Sequence, residues 1–413
     1  MLATSQTTFA QCFTVGQPEG IQTMTADSKP AAHYDFVIVG ARCAGAATAI
    51  DLARAGASVL VVDRQEYGSD RMSTHALMRG AMLQLREWNL LDRLLVEGTP
   101  KVTRTTFHYS GDEDVSLDIK PEAGIDFLLA PRRTVLDRAL VDAARSAGAE
   151  VRHGIAVADL LHGIAGRVLG VVARDADGER IEIRADMVIG ADGRQSMVAK
   201  LVDAQIYRHG RNASASVYGY YDGMPNSGYH WYFADGAAAG AIPTNAGQHC
   251  VFASVPMARF AETFRTDIEA GFMATVTANS PELAEKLDIA NRPDKLRGFG
   301  GAPGFMRQSF GNGWALVGDA GYFKDPATAH GITDALRDAR LLSRALTGES
   351  VGSLSRYQAQ RDALSTELFE VTDEIAGLGD MNAMQALHYR LSKAIKAETA
   401  FMAEAGNPPK LAA

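Results

Sequence analysis

The run Phe36-Val37-Ile38-Val39 is apolar at every position and short. Such a run predicts a strand buried on both faces, as in a parallel sheet. A Gly-rich turn follows, and Ala46 to Ala53 predicts a helix. Gly56 stands where a helix C-terminus takes a residue that tolerates positive φ. Val59-Leu60-Val61-Val62 predicts a second buried strand, ending on Asp63. Together they form one βαβ unit of about 30 residues.

Residues 77–97 are predicted helical. Residues 102–130 predict short strands, with turns at Gly111-Asp112 and Glu122-Ala123-Gly124. An amphipathic helix is expected from Thr134 to Ala147, stopped by Gly148. Residues 151–190 carry strand periodicity, from Arg167 to Ala173 and from Arg180 to Arg184, around a turn at Asp175-Ala176-Asp177-Gly178. Residues 213–256 are β-rich and aromatic, and 258–287 mostly helical. A strand from Trp314 to Val317 precedes a helix starting near Gly331, and 353–404 are helical. There is no internal repeat and no low-complexity block. This order predicts an α/β chain with an interleaved, β-rich second domain.

A chain of 413 residues suits about two or three domains at roughly 100–200 residues each. Hydrophobic content of 46% allows a full core, and the net charge of −8 argues against a nucleic-acid partner, which needs a basic footprint. No apolar run reaches the roughly 18 residues of a membrane span. Three scattered cysteines, Cys12, Cys43 and Cys250, make neither a disulfide framework nor a metal cluster and fit a reducing, cytoplasmic setting. No metal is expected. Residues 1–33 carry one basic residue, Lys29, and read as a disordered leader, with Met24 an alternative start.

The turn after the first strand is Gly40-Ala41-Arg42-Cys43-Ala44-Gly45. In a GxGxxG dinucleotide turn the first Gly makes the bend, the second admits the pyrophosphate, and the third lets helix and strand pack closely. The helix N-terminus then faces the phosphates with free N–H groups. Here Arg42 replaces the second Gly. It must turn away from the cofactor or lie across the phosphates as a bidentate donor. Asp63 lies about 20 residues on, where an acid accepts hydrogen bonds from an adenosine ribose. Cys43 reads as a small residue at a crowded turn.

Two further segments narrow the dinucleotide to FAD. Val188-Ile189-Gly190-Ala191-Asp192-Gly193-Arg194 resembles the Asp-Gly motif of the single-component flavoprotein monooxygenases, the p-hydroxybenzoate hydroxylase superfamily. Trp314-Ala315-Leu316-Val317-Gly318-Asp319-Ala320-Gly321, with Pro326, Gly331 and Asp338-Ala339, resembles the second FAD motif of that family. The chain is similar to an outlying branch: Tyr322 stands for a common His, Gly321 for an Ala, Ala329 for the first Gly of a Gly-x-Gly turn, and Thr333 for an Asn.

The resemblance implies a Rossmann-like FAD-binding domain, an interleaved β-rich substrate domain and C-terminal helices. FAD-binding segments are expected over residues 34–76, 133–202 and 306–350. Substrate-domain segments are expected over 77–132 and 203–305, with C-terminal helices over 351–413. It further implies non-covalent FAD. Asp319 would hold the ribityl chain or pyrophosphate, and Gly318 the turn before it. Pro326 would lie near the reactive edge of the ring, and the N–H groups of Gly331 and Ile332 would face its pyrimidine. Arg133, with Arg132 as runner-up, would contact the ribityl region, and Arg71 would lie beside flavin and pyrophosphate. Arg64 and Val157 complete the expected cofactor set with Gly40, Ala41, Arg42, Cys43, Gly45 and Asp63.

No second nucleotide fold is evident, so NAD(P)H would serve as a transient reductant. Residues 218–233 hold Tyr218, Tyr220, Tyr221, Tyr229, His230, Trp231, Tyr232 and Phe233. Most read as sheet packing; some could line an apolar substrate pocket. Proton-handling candidates are His75, Tyr221 and His230. The Trp-x-Trp-x-Ile-Pro pattern of flavin halogenases is absent. The expected activity is NAD(P)H-driven monooxygenation, with O2, of a small apolar or aromatic substrate. The alternatives are reduction of isoprenoid double bonds, a flavin halogenase-like reaction, or a flavin-bound accessory protein without turnover.

Overall fold

The computed structural model describes residues 33–71, 73–110, 114–348 and 352–404. Nearly all of the expected leader and the expected Gly111-Asp112 turn lie outside them.

The expected βαβ unit is present as β1 (His33–Val39), α1 (Cys43–Arg54) and β2 (Val59–Asp63). β1 and β2 run parallel, with Phe36 opposite Val59 and Val39 opposite Val62. Every residue of α1 from Cys43 to Ala53 is buried. The helix is rich in Ala and Gly, so neighbours can approach from all sides.

The chain continues through α2 (Arg79–Glu87), α3 (Leu91–Val96), β3 (Arg104–Tyr109), β4 (Val115–Asp118) and α4 (Arg133–Ser146). Next come β5 (Glu150–His153), β6 (Ala156–His162), β7 (Val168–Arg174), β8 (Arg180–Gly190), α5 (Met197–Leu201) and β9 (Ile206–His209). The aromatic stretch forms β10 (Ser214–Tyr221), β11 (Tyr229–Ala234), β12 (Ala237–Pro243) and β13 (His249–Pro256). It is followed by α6 (Phe260–Phe264), α7 (Ile268–Asn279), α8 (Pro281–Ile289) and β14 (Arg297–Phe299). Short strands β15 (Phe305–Arg307), β16 (Phe310–Gly311), β17 (Trp314–Leu316) and β18 (Tyr322–Phe323) lead to α9 (Gly331–Thr347), α10 (Ser353–Ala376) and α11 (Met381–Glu404).

β17, β8, β1, β2 and β5 lie side by side in that order, all parallel. The carboxyl ends of these strands, at Leu316, Gly190, Val39 and Asp63, therefore share one edge, where open α/β sheets bind ligands. A second sheet has the order β14-β10-β13-β12-β11-β3-β4. It is assembled from two separated stretches of chain, because β3 pairs with β11.

The second sheet is buried on both faces. Tyr218, Tyr220, Tyr229, Trp231 and Phe233 point into the large core shared with α1, α2 and α9. Val217 and Tyr221 point the other way, into a core with Phe272 and Val276 of α7. Alternation along a strand imposes this split. No helix among the described residues is long and apolar enough to cross a membrane.

Candidate active site

The turn from β1 to α1 is tight at two glycines. Gly40 has φ +107, and a Cβ there would lie 2.5 Å from the Ala191 carbonyl oxygen. A Cβ on Gly45 would lie 1.8 Å from the Gly40 carbonyl oxygen. Arg42 has φ −98 and ψ −164, extended backbone open to any residue, so no glycine is needed there. Its guanidinium turns aside, to Asp137 Oδ2 at 2.9 Å and to Ser69 Oγ at 3.0 Å. Asp137 also bonds Cys43, the first residue of α1, so the Arg42 guanidinium stays beside the turn. No side chain caps α1, and its first turn holds no acid. Its N–H groups are left for a ligand, at the positive end of the helix dipole.

Asp63, at the end of β2, is buried; its Oδ2 accepts the Ala41 N–H at 2.7 Å and its Oδ1 the Gln65 N–H at 2.8 Å. It borders a groove lined also by Arg42, Ser69, Asp137, Val141 and His153. Val157, on β6, packs against the smaller core and is not among the groove residues. Cys43 donates to Asp137 Oδ1 at 3.3 Å, and burial raises its thiol pKa, which keeps it protonated.

Arginines converge beside this turn. Arg133, at the start of α4, makes a bidentate pair with Asp137, both bonds at 3.0 Å. The exposed Arg71 has its pKa lowered by partial burial and then by Arg42, Arg133 and Arg64. Four guanidinium groups thus meet two carboxylates, Asp137 and Asp63. That surplus of positive charge, beside a free helix N-terminus, fits a diphosphate.

The second strand end, after β17, completes the cleft. Gly318 has φ +60, and a Cβ there would stand 2.8 Å from the Ala44 Cβ of α1. The Asp319 carboxylate is half-buried and accepts no hydrogen bond from the described residues. Burial pushes its pKa up to about 6, against the pull of Lys324, Arg133 and Arg194. An unpaired carboxylate facing a cleft is a ready acceptor for sugar or ribityl hydroxyls. Asp325 fixes the next turn, accepting Ser214 Oγ at 2.6 Å and the Ala327 N–H at 2.9 Å, and so seats Pro326. Ala329 keeps the left-handed conformation, φ +49, at the position of the missing Gly. α9 then starts at Gly331 with no side-chain cap, and a Cβ on Gly331 would meet nothing within 4 Å. The N–H groups of Gly331 and Ile332 are therefore free and open on one side.

Asp192, in the Asp-Gly motif, plays a local part. Its Oδ2 accepts the Met197 N–H at 2.6 Å, at the start of α5. Its Oδ1 is buried without a partner.

The proton-handling candidates do not gather. His75 is fully buried with φ +65, and its Nε2 lies 2.5 Å from the Tyr220 hydroxyl. Its Nδ1 has no partner. Burial, then Arg132 and Arg133, hold its pKa well below the usual value. His75 thus stands between the cofactor-side Arg133 and the sheet-side Arg132, whose guanidinium lies 3.5 Å above the Tyr220 ring. Tyr221 is on the opposite face, stacked on Phe272 at 6.2 Å. His230 shares that outer face and meets His108 Nε2 at 2.9 Å and Ser227 Oγ at 2.8 Å. The register of β10 and β11 turns Tyr221 and His230 away from the face that carries Tyr220, so the three candidates do not form one cluster. Sequence reasoning named Tyr220 only within the aromatic run and did not single out Asp137. The Arg133/Asp137 spacing of four on a helix was a readable sign of the latter.

A parallel sheet with a diphosphate-compatible turn, an acid at the second strand end and a second acid beside an open helix N-terminus define an FAD-dependent oxidoreductase. Residues 33–372 match the family model described as FAD binding domain. The chain belongs to this family, that of the p-hydroxybenzoate hydroxylase-like flavoprotein monooxygenases. It is 24% identical over 381 residues to a digeranylgeranylglycerophospholipid reductase of Methanocella arvoryzae, covering 86% of this chain and 90% of the relative. The fold is similar to the flavin-dependent brominase Bmp2, with a TM-score of 0.77, 18% identity, and coverage of 89% of this chain and 94% of that one. It is also similar to Pseudomonas aeruginosa PqsL, solved with 2-aminobenzoylacetate, with a TM-score of 0.69, 19% identity, and coverage of 88% and 100%.

Proposed function

We propose that the chain is an NAD(P)H-driven, FAD-dependent monooxygenase that places one oxygen atom from O2 into a small apolar or aromatic substrate. The substrate would lie between the cofactor and the inner face of the second sheet. The observation that carries this reading is His75: buried, left-handed, bonded to Tyr220 and left with an orphan Nδ1. Strain and an unsatisfied buried group together mark a functional position.

FAD, when bound, supplies two-electron redox chemistry and reaction with O2. The helix N-termini of α1 and α9, with Arg71, Arg133, Asp63 and Asp319, would hold and orient it. The apolar inner face, with Tyr218, Tyr229 and Trp231, would exclude water. His75 is neutral, because burial and two arginines oppose its charging. With Tyr220 donating to Nε2, the imidazole would carry its hydrogen on Nδ1, which has no partner among the described residues. Tyr220 would hold the imidazole in that tautomer and orientation.

A second reading is reduction of isoprenoid double bonds, favoured by the likeness to a reductase over 86% of the chain. One experiment separates the two. The protein, FAD, NADH or NADPH and a panel of phenolic, quinoline-like and isoprenoid compounds are incubated with and without O2, and products are weighed by mass spectrometry. A gain of one oxygen that depends on O2 supports the monooxygenase. A gain of two hydrogens without O2 overturns it in favour of the reductase, and halide incorporation in favour of a halogenase.

A further inference from the structure

Behind the N-terminus of α9 lies a set of charged side chains that neither the dinucleotide turn nor the His75–Tyr220 pair uses. Glu398, on α11, is 1% exposed. Its Oε2 accepts from His330 Nε2 at 2.6 Å and its Oε1 from Arg337 Nη1 at 2.6 Å. Arg337 also meets Asp334 at 3.0 Å and Asp338 at 2.7 Å, and Lys324 pairs with Asp334. All six residues are buried, and His330 Nδ1 has no partner.

Three carboxylates, Glu398, Asp334 and Asp338, meet Arg337, Lys324 and the His330 imidazole here. Stability is a weak reason for such a cluster, since apolar residues of the same volume hold a core at least as well. Its place suggests another. His330 directly precedes α9 and its first residues Gly331 and Ile332, where a Cβ on Gly331 would meet nothing within 4 Å. Asp319, in the cleft, interacts electrostatically with Lys324. A charge buried this close to a ligand is poorly screened.

We propose that this cluster is a fixed-charge device that sets the electron affinity of the flavin held at the N-terminus of α9, with Glu398 and Asp334 lowering it and Lys324 raising it. The inference rests on the placement of the flavin pyrimidine at Gly331 and Ile332, and not on which reaction follows. Two-electron reduction adds negative charge to the flavin ring. A buried carboxylate nearby opposes that gain, and a buried ammonium favours it. Burial alone would keep Glu398 protonated, but His330 and Arg337 hold its pKa down to about 2, so the carboxylate is charged. Burial and Arg337 bring Lys324 down to about 7.

The test uses the FAD-loaded full chain, reduced slowly beside a reference dye, with the ratio of reduced to oxidised flavin read from the visible spectrum. Glu398→Gln and Asp334→Asn should each raise that ratio at least tenfold at a fixed dye potential, about 30 mV for a two-electron couple. Lys324→Met should lower it by a similar factor. Opposite signs support the proposal. A cluster that only braces the helices would lower the melting temperature in all three and leave the ratio unchanged, or shift it in one direction, and either result overturns it. If Glu398→Gln fails to fold, Asp334→Asn and Lys324→Met still carry opposite signs. If no variant yields FAD-loaded protein, the cluster is a folding brace and the proposal fails. Wild-type protein that binds no FAD would instead sink the cofactor reading, before any variant is made.

Discussion

The imidazole of His75 and the hydroxyl of Tyr220 meet at 2.5 Å, joining the loop after β2 to the inner face of the second sheet across 145 residues of chain. This contact holds a buried histidine in a left-handed conformation that costs about 1–2 kcal/mol in a residue with a Cβ. Tyr220→Phe should therefore cost about 1–3 kcal/mol of stability, by leaving Nε2 unpaired. Turnover should fall at least tenfold while FAD still binds. Tyr221→Phe, on the other face, should leave turnover unchanged. Steady-state rates and a flavin titration on the two variants check this, and equal losses in both would refute the placement.

The arginines should divide by role. Arg133→Ala should weaken FAD binding by about 1.5–3 kcal/mol, the range for hydrogen bonds to charged groups. Arg42→Ala should weaken it less, because its guanidinium is engaged by Asp137 and Ser69. Equilibrium dialysis with FAD orders them. A larger loss at Arg42 would mean that its side chain swings to the phosphates when FAD binds.

Asp319 sets a pH dependence in the FAD-free protein. Burial raises its pKa from 3.8 to about 6, so the folded state holds the proton more tightly than the unfolded chain. Its contribution to stability is present below about 4 and lost as pH rises through about 6. Asp325 is likewise pushed up to about 6 by burial, against its bonds from Ser214. Asp319→Asn should remove part of the fall in melting temperature over this range, leave the share of Asp325, and weaken FAD binding. An unchanged pH profile would mean that the Asp319 carboxylate is solvated.

Two small changes should act in opposite directions. Gly45→Ala places a Cβ against the Gly40 carbonyl oxygen and should yield no FAD-loaded protein. Ala329→Gly relieves a left-handed alanine and should stabilise the fold by about 0.5–1 kcal/mol. Thermal unfolding of the second variant reads the gain directly, and a loss would show that the Ala329 side chain contributes more by packing than its backbone costs.

The first βαβ unit was legible because its signals are local. Apolar runs make buried strands, Gly40 and Gly45 make the turn, and Asp63 ends the second strand within about 20 residues. The motif at Gly318 and Asp319 was readable for the same reason. The aromatic stretch was read correctly as mostly sheet packing, but not for which residue faces inward.

The sequence by itself determined the elements, the parallel sheet and the strand ends where a dinucleotide can lie, because those depend on the periodicity and backbone limits of neighbouring residues. Only the tertiary structure decided that Tyr220 rather than Tyr221 meets His75. A one-residue change of register would exchange the two, and that register depends on β13 and β14 beside β10. Tertiary structure also decided that Arg42 turns to Asp137, 95 residues away, and that Glu398 meets His330 across 68 residues. Long-range charge pairs leave no periodic trace along a chain. Their partners are selected when packed helices bring buried charges together, where an unpaired charge would be too costly to keep.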